Sequence, residues 1–178
     1  MIKLNNLPRA LIFALSFTAF HASALPDDRD QPIYITADSA RINDKTGITT
    51  YKGNVVIKQG SLLIEAKHVD MYRGDEGVEK LIANGQPAHF RQKPKANEPF
   101  SDAWGLKMVY QVDDQLLTIT QKAKVIQDQD TFTGEKIVYD LDRSIVNAFG
   151  SSKQSSSDNQ SGRVNMVIQP KKKDKAAE

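Results

Sequence analysis

QPIYITADSARINDKTGITTYKGNVVI, residues 31–57, sets the plan of the chain. Ile33, Ile35 and Ala37 alternate with Tyr34 and Thr36, and Val55 and Ile57 follow Gly53-Asn54. Period-two alternation puts one set of side chains on one face of a sheet. Asn43, Asp44, Lys45 and Gly47, between the two patterns, read as a turn.

The chain repeats this plan. A small residue, two variable residues, an apolar residue, one more, then an apolar or aromatic residue occur at Ala37, Ala66, Gly105 and Gly134. Ala37 and Ala66 are 29 residues apart, and so are Gly105 and Gly134. The middle gap is 39 because a polar insert, residues 91–102, lies inside it. A fixed period in this range points to stacked supersecondary units. Gly or Ala at the anchor lets a strand bend or another backbone approach closely. Four such corners fold a long ribbon over on itself, giving two facing sheets or a flattened open barrel with apolar residues inside.

Strand candidates follow closely at 33–37, 39–43, 48–52, 54–58, 61–66, 68–73, 79–83, 87–91, 104–112, 115–120, 123–128, 131–141 and 145–149. Turn signals such as Gln59-Gly60, Gly74-Asp75, Asp113-Asp114 and Asp142-Arg143 separate many of them. No helical period is sustained over three turns. The pattern is all-β and largely antiparallel. A Ser, Asn, Gln and Gly run at 151–162 reads as a loop, and residues 163–168 as a last strand closed by Pro170.

The termini carry different signals. Lys3 and Arg9, an apolar core at residues 10–20 and Ala22-Ser23-Ala24 make a secretory signal peptide over residues 1–24. That core of 11 residues is too short to span a bilayer. The mature chain is expected to start at Leu25 and to be periplasmic, with one domain over 25–170 and a basic, disordered tail over 171–178. Losing Lys3 and Arg9 leaves 22 basic and 22 acidic residues, so no broad basic face for nucleic acid is implied. Cysteine is absent, so stability must come from the core or a partner.

Catalytic signals are weak. His68 and His89 sit in alternating strands without a partner at metal-ligand spacing. No phosphate loop or nucleophile elbow occurs, and no carboxylate pair among Asp38, Glu65, Asp70 and Glu135 stands out. Apolar surface dominates instead. Alternation gives an inner face of Ile33, Ile35, Val55, Ile57, Leu62, Ile64, Met71, Phe90, Met108, Tyr110, Val112, Leu117, Ile119, Val125, Ile137, Tyr139 and Leu141. These residues either fill a core or line a greasy groove suited to acyl chains, and alternation does not choose between the two.

Four blocks carry a resemblance. They are residues 30–38 (DQPIYITAD), 51–57 (YKGNVVI), 85–90 (GQPAHF) and 134–139 (GEKIVY). Together they resemble the OstA-like family of periplasmic lipopolysaccharide-transport bridge proteins (the LptA type), and the resemblance covers residues 30–170. It implies an open V-shaped β-jellyroll of antiparallel strands. It implies a non-catalytic role without cofactors: carrying lipid A through an apolar groove and bridging the inner and outer membranes for outer-membrane assembly. Its implied partners are lipopolysaccharide, an inner-membrane-anchored transport subunit, the periplasmic domain of an outer-membrane translocon, and further copies joined head to tail by edge-strand pairing. The groove contacts it implies fall near Ile33, Ile35, Phe90, Tyr110 and Val112. Combined with alternation, the candidate acyl-chain lining is those five with Val55, Ile57, Ile64, Met108, Leu117, Ile119, Ile137 and Tyr139. Two other classes stand beside this reading: a monomeric shuttle for an apolar ligand, and a glycan-active enzyme.

Overall fold

The computed structural model describes residues 28–95, 98–151 and 162–170. The expected signal peptide and basic tail lie outside them. A 3-10 turn, Asp28–Asp30, precedes ten strands: β1 (Tyr34–Thr36), β2 (Ser39–Asn43), β3 (Ile48–Gln59), β4 (Leu62–Gly74), β5 (Gly77–Gln92), β6 (Ser101–Gln111), β7 (Leu116–Gln127), β8 (Asp130–Asp140), β9 (Ile145–Phe149) and β10 (Asn165–Val167). All neighbours pair antiparallel in one open sheet. The middle six strands follow sequence order. β1 and β2 both pair with β3, and β9 and β10 both pair with β8.

The sheet is folded in two. The ladder slips at Lys52/Val55, Glu65/His68, Asn84/Ala88, Trp104/Lys107 and Thr120/Ala123, and these bulges fall side by side across the strands. A bulge bends its strand, so an aligned row of them makes a crease. On one side of the crease lies a first layer: β2, one half each of β3 to β8, and β9. On the other lies a second layer: β1, the other halves, and β10. The anchors Ala37, Ala66, Gly105 and Gly134 all sit on this crease, as their small size leads one to expect. Gly105 has no room for a side chain, because a Cβ there would collide with Cγ2 of Ile119. The odd strands turn differently. β3 bends at Gly53 and Asn54 (φ 77° and 43°), β7 at Gln121 and Lys122 (φ 64° and 58°). Asp38 braces the corner of β3: its N–H donates to Gly53 O, and its carboxylate accepts from Asn54 Nδ2.

Several strands read as pairs in the sequence are therefore single strands broken by the crease. β3, β4, β5 and β7 each continue through it. Hydrogen bonding resumes on the far side, which local alternation does not reveal.

Candidate functional site

Alternation along strands and register between them line up the inward side chains in rows that run across the sheet. In the first layer, Ile42, Thr49, Met71, Leu81, Tyr110, Leu117, Tyr139 and Val146 are successive partners from β2 to β9. Nearer the crease, Ala40, Tyr51, Val69, Ala83, Met108, Ile119, Ile137 and Ala148 form a parallel row. The second layer contributes Ile35, Ile57, Ile64, Phe90, Ala103, Val125, Phe132 and Met166. Eight strands at about 4.8 Å make each row about 34 Å long.

The two layers meet face to face. Phe90 of the second layer stands edge-on to Tyr110 of the first, ring centroids 5.2 Å apart. Val55, Ile57, Ile64, Phe90, Met108, Tyr110, Leu117, Ile119, Ile137 and Tyr139 are all buried, and Val112, just beyond β6, is nearly so. Ile33 and Ile35 pack against this core from the edge and are half-buried. All thirteen candidate lining residues thus lie between the layers, eleven of them in the core and Ile33 and Ile35 packed against it. Alternation missed Val69, Leu81, Ala83, Ala88, Ala103 and Ala123, which share the same faces. It also missed three buried polar residues: Thr49, and the pair Gln92 and Ser101.

Those two matter at the side opposite the crease, here called the mouth. Ser101 Oγ and the Tyr139 hydroxyl share a hydrogen bond of 2.8 Å across the gap between layers. The Tyr110 hydroxyl donates a longer one, 3.5 Å, to Gln92 Oε1. Burial pushes the Tyr139 phenol above its ordinary value, and Glu98 adds to the rise, while the bond to Ser101 offsets part of it. The 3-10 turn laces the same margin. Asp28 accepts hydrogen bonds from Ser61 N and Oγ (both 2.6 Å) and from Gln92 Nε2 (2.8 Å).

Polar clusters lie on the outside. A shallow cleft in the first layer is lined by Ser39, Arg41, Thr50, Lys52, His68 and Asp70. Burial raises the Asp70 carboxyl, but hydrogen bonds from Thr50 and His68 and the charge of Lys52 outweigh it and hold the group below its usual value. On the outer face of the second layer His89 stacks on Trp104, centroids 4.9 Å apart, with Glu65 and Asp102 at its two ring nitrogens. Among the described residues no group of His, Asp and Glu could hold a metal ion, and no helix is long and apolar enough to cross a membrane.

The ends of the sheet are distinctive. Among the described residues the exposed large apolar side chains are Tyr34, Ile42, Ile145, Phe149, Met166, Val167 and Ile168. Every one lies on an edge strand, β1, β2, β9 or β10, or directly after β10.

A creased antiparallel sheet with apolar rows running out at two open ends is the architecture of a class of envelope transport proteins. The family model described as "LptA/(LptD N-terminal domain) LPS transport protein" matches residues 34–145, and the chain belongs to that family. Among its relatives is the lipopolysaccharide export system protein LptH of Pseudomonas aeruginosa, 43% identical over 172 residues that span 95% of this chain and 97% of LptH. Escherichia coli K12 LptA, of the same export system by name, is 30% identical over 151 residues, 83% of this chain and 81% of its own. The crystal structure of P. aeruginosa LptH, the LptA-homologous periplasmic component of that organism's lipopolysaccharide transport device, superposes with a TM-score of 0.72 at 41% identity. The match covers 82% of this chain and all of the LptH chain.

Proposed function

We propose that this chain is a periplasmic component of lipopolysaccharide export that takes the acyl chains of lipid A between its two layers and hands them on from end to end. The carrying observation is the set of inner rows that cross every strand and run out at both open ends. Such a lining guides an apolar ligand across the strands, along the axis on which further copies would add. An unpaired sheet edge is ordinarily an aggregation hazard. Here the edges carry the exposed apolar residues, which suits strand addition by a partner. That partner is another copy, an inner-membrane-anchored subunit at one end, or the periplasmic domain of an outer-membrane translocon at the other. A monomeric shuttle would have no use for apolar edges at both ends.

Energetics favour an interior that parts only as far as needed. Each buried methylene contributes about 0.8 kcal/mol, so full enclosure of several chains would hold a lipid too tightly to pass on. Partial burial between two separable layers avoids that trap.

A photo-crosslinker at Ile35, Phe90 or Tyr110 is expected to label lipopolysaccharide, because these residues face inward from three strands. One at Lys58 or Lys124 is not, because these lysines are on the outer face. Equal labelling of both sets would defeat the reading.

A further inference from the structure

The two layers are joined covalently along the crease alone among the described residues. Each turn at the mouth, at 43–48, 59–62, 74–77, 111–116, 127–130 and 140–145, returns within its own layer. Across the mouth the layers are held by side chains. One close polar contact there is the 2.8 Å hydrogen bond between Tyr139, near the end of β8, and Ser101, the first residue of β6. Tyr139 is 0% exposed and Ser101 is 2% exposed. In its row Tyr139 lies between Leu117 and Val146, so its hydroxyl is a polar group in an apolar wall.

Parting the layers breaks this bond in a place that water reaches poorly. A plain hydrocarbon filling the gap can satisfy neither hydroxyl, and an unsatisfied buried hydroxyl is costly. A chain that carries a hydroxyl, ester or amide at that depth can bond to both. We infer that Tyr139 and Ser101 form a polar subsite at the mouth that selects acyl chains bearing such a group over unsubstituted hydrocarbon. The inference rests on the reading above, that acyl chains lie between the layers.

The test compares two probes on the full mature chain. One is lipid A, whose acyl anchors carry hydroxyl, ester and amide groups, measured by thermophoresis. The other is the pure hydrocarbon fluorophore diphenylhexatriene, measured by its emission. The proteins are wild type, Tyr139→Phe and the double variant Tyr139→Phe/Ser101→Ala. Replacing both partners with apolar groups of similar shape leaves the closed form nearly unaffected and removes the hydroxyls an opened form would orphan. The preference for lipid A over diphenylhexatriene is expected to fall about tenfold in the double variant, one hydrogen bond's worth. Tyr139→Phe alone should move the ratio the same way by a smaller factor, and it decides the question if the double variant does not fold. An unchanged ratio in folded variants overturns the subsite while leaving the carrier reading intact. Failure of the wild type itself to bind lipid A overturns the carrier reading, and the subsite with it.

Discussion

The two long sides of this molecule are closed by opposite means. Along the crease the backbone itself passes from layer to layer, through glycines, alanines and residues of positive φ, at each of β3 to β8. Along the mouth the closure is made of side chains: a tyrosine–serine hydrogen bond and a tyrosine–glutamine contact, the glutamine held in turn by Asp28 from within the second layer. One side behaves as a hinge whose geometry is fixed by steric limits. The other behaves as a seam whose strength is a sum of small, reversible terms. On the carrier reading proposed above, keeping these apart lets the seam yield while the crease holds the layers together.

The sharpest break in that contrast is at the hinge. Gly105→Val puts a branched side chain where a Cβ already collides with Ile119. Overpacking of this kind costs about 3 kcal/mol, which lowers the melting temperature by roughly 10 °C in a domain this size. A thermal melt unchanged from wild type would show that the crease tolerates bulk and is no fixed hinge.

Asp28→Ala weakens the seam indirectly, by removing the acceptor for three hydrogen bonds from Ser61 and from Gln92, the partner of Tyr110. Hydrogen bonds to a charged group are stronger than neutral ones, and the expected loss is about 1–2 kcal/mol. More telling is where the loss falls. Amide exchange should quicken at 59–62 and 91–93 and stay slow along the crease. Uniform quickening across the sheet would erase the distinction between the two sides.

The smallest effect at working pH, and the cleanest in sign, concerns Tyr139. Its phenol titrates above the ordinary value of 10.0 because burial disfavours the phenolate. The neutral form therefore stabilises the fold. That contribution is fully present below about pH 10 and is lost as pH climbs through the raised value. In an absorbance titration the Tyr139 phenol should contribute a late step of its own, above the ordinary tyrosine range, as the fold loosens. Tyr139→Phe should abolish the late step. Its persistence would assign the buried phenol elsewhere.

Much of this contrast was legible in the residues, and the limits have physical causes. Parity was legible because desolvation enforces it: Ile57, Ile64, Ile119 and Ile137 can each face only one way in an alternating strand, and all are buried. The crease was half legible. The small anchors marked it, yet Lys52-Gly53-Asn54 and Asn84 to Ala88 read as strand ends, because the ladder's resumption depends on partners distant in sequence. Strands at 33–37, 39–43, 145–149 and 163–168 were all read from the sequence, but not that they are the four edges, since a folded sheet has two edges at each end. Ser101 and Gln92 were hidden inside the polar insert. Extending the parity of Phe90 and Ala103 by one step each would have turned them inward.

The register of the rows has a consequence for motion. A chain sliding across the strands meets a new rung about every 4.8 Å, and successive rungs are chemically alike: isoleucine, isoleucine, phenylalanine, alanine, valine. Such a track resembles a corrugated potential with shallow, evenly spaced wells and no overall tilt. On the carrier reading proposed above, travel along it would be a one-dimensional random walk, equally easy in either direction. Net flow would then come from loading pressure at one end and removal at the other, and a longer stack of copies would slow transit as the square of its length.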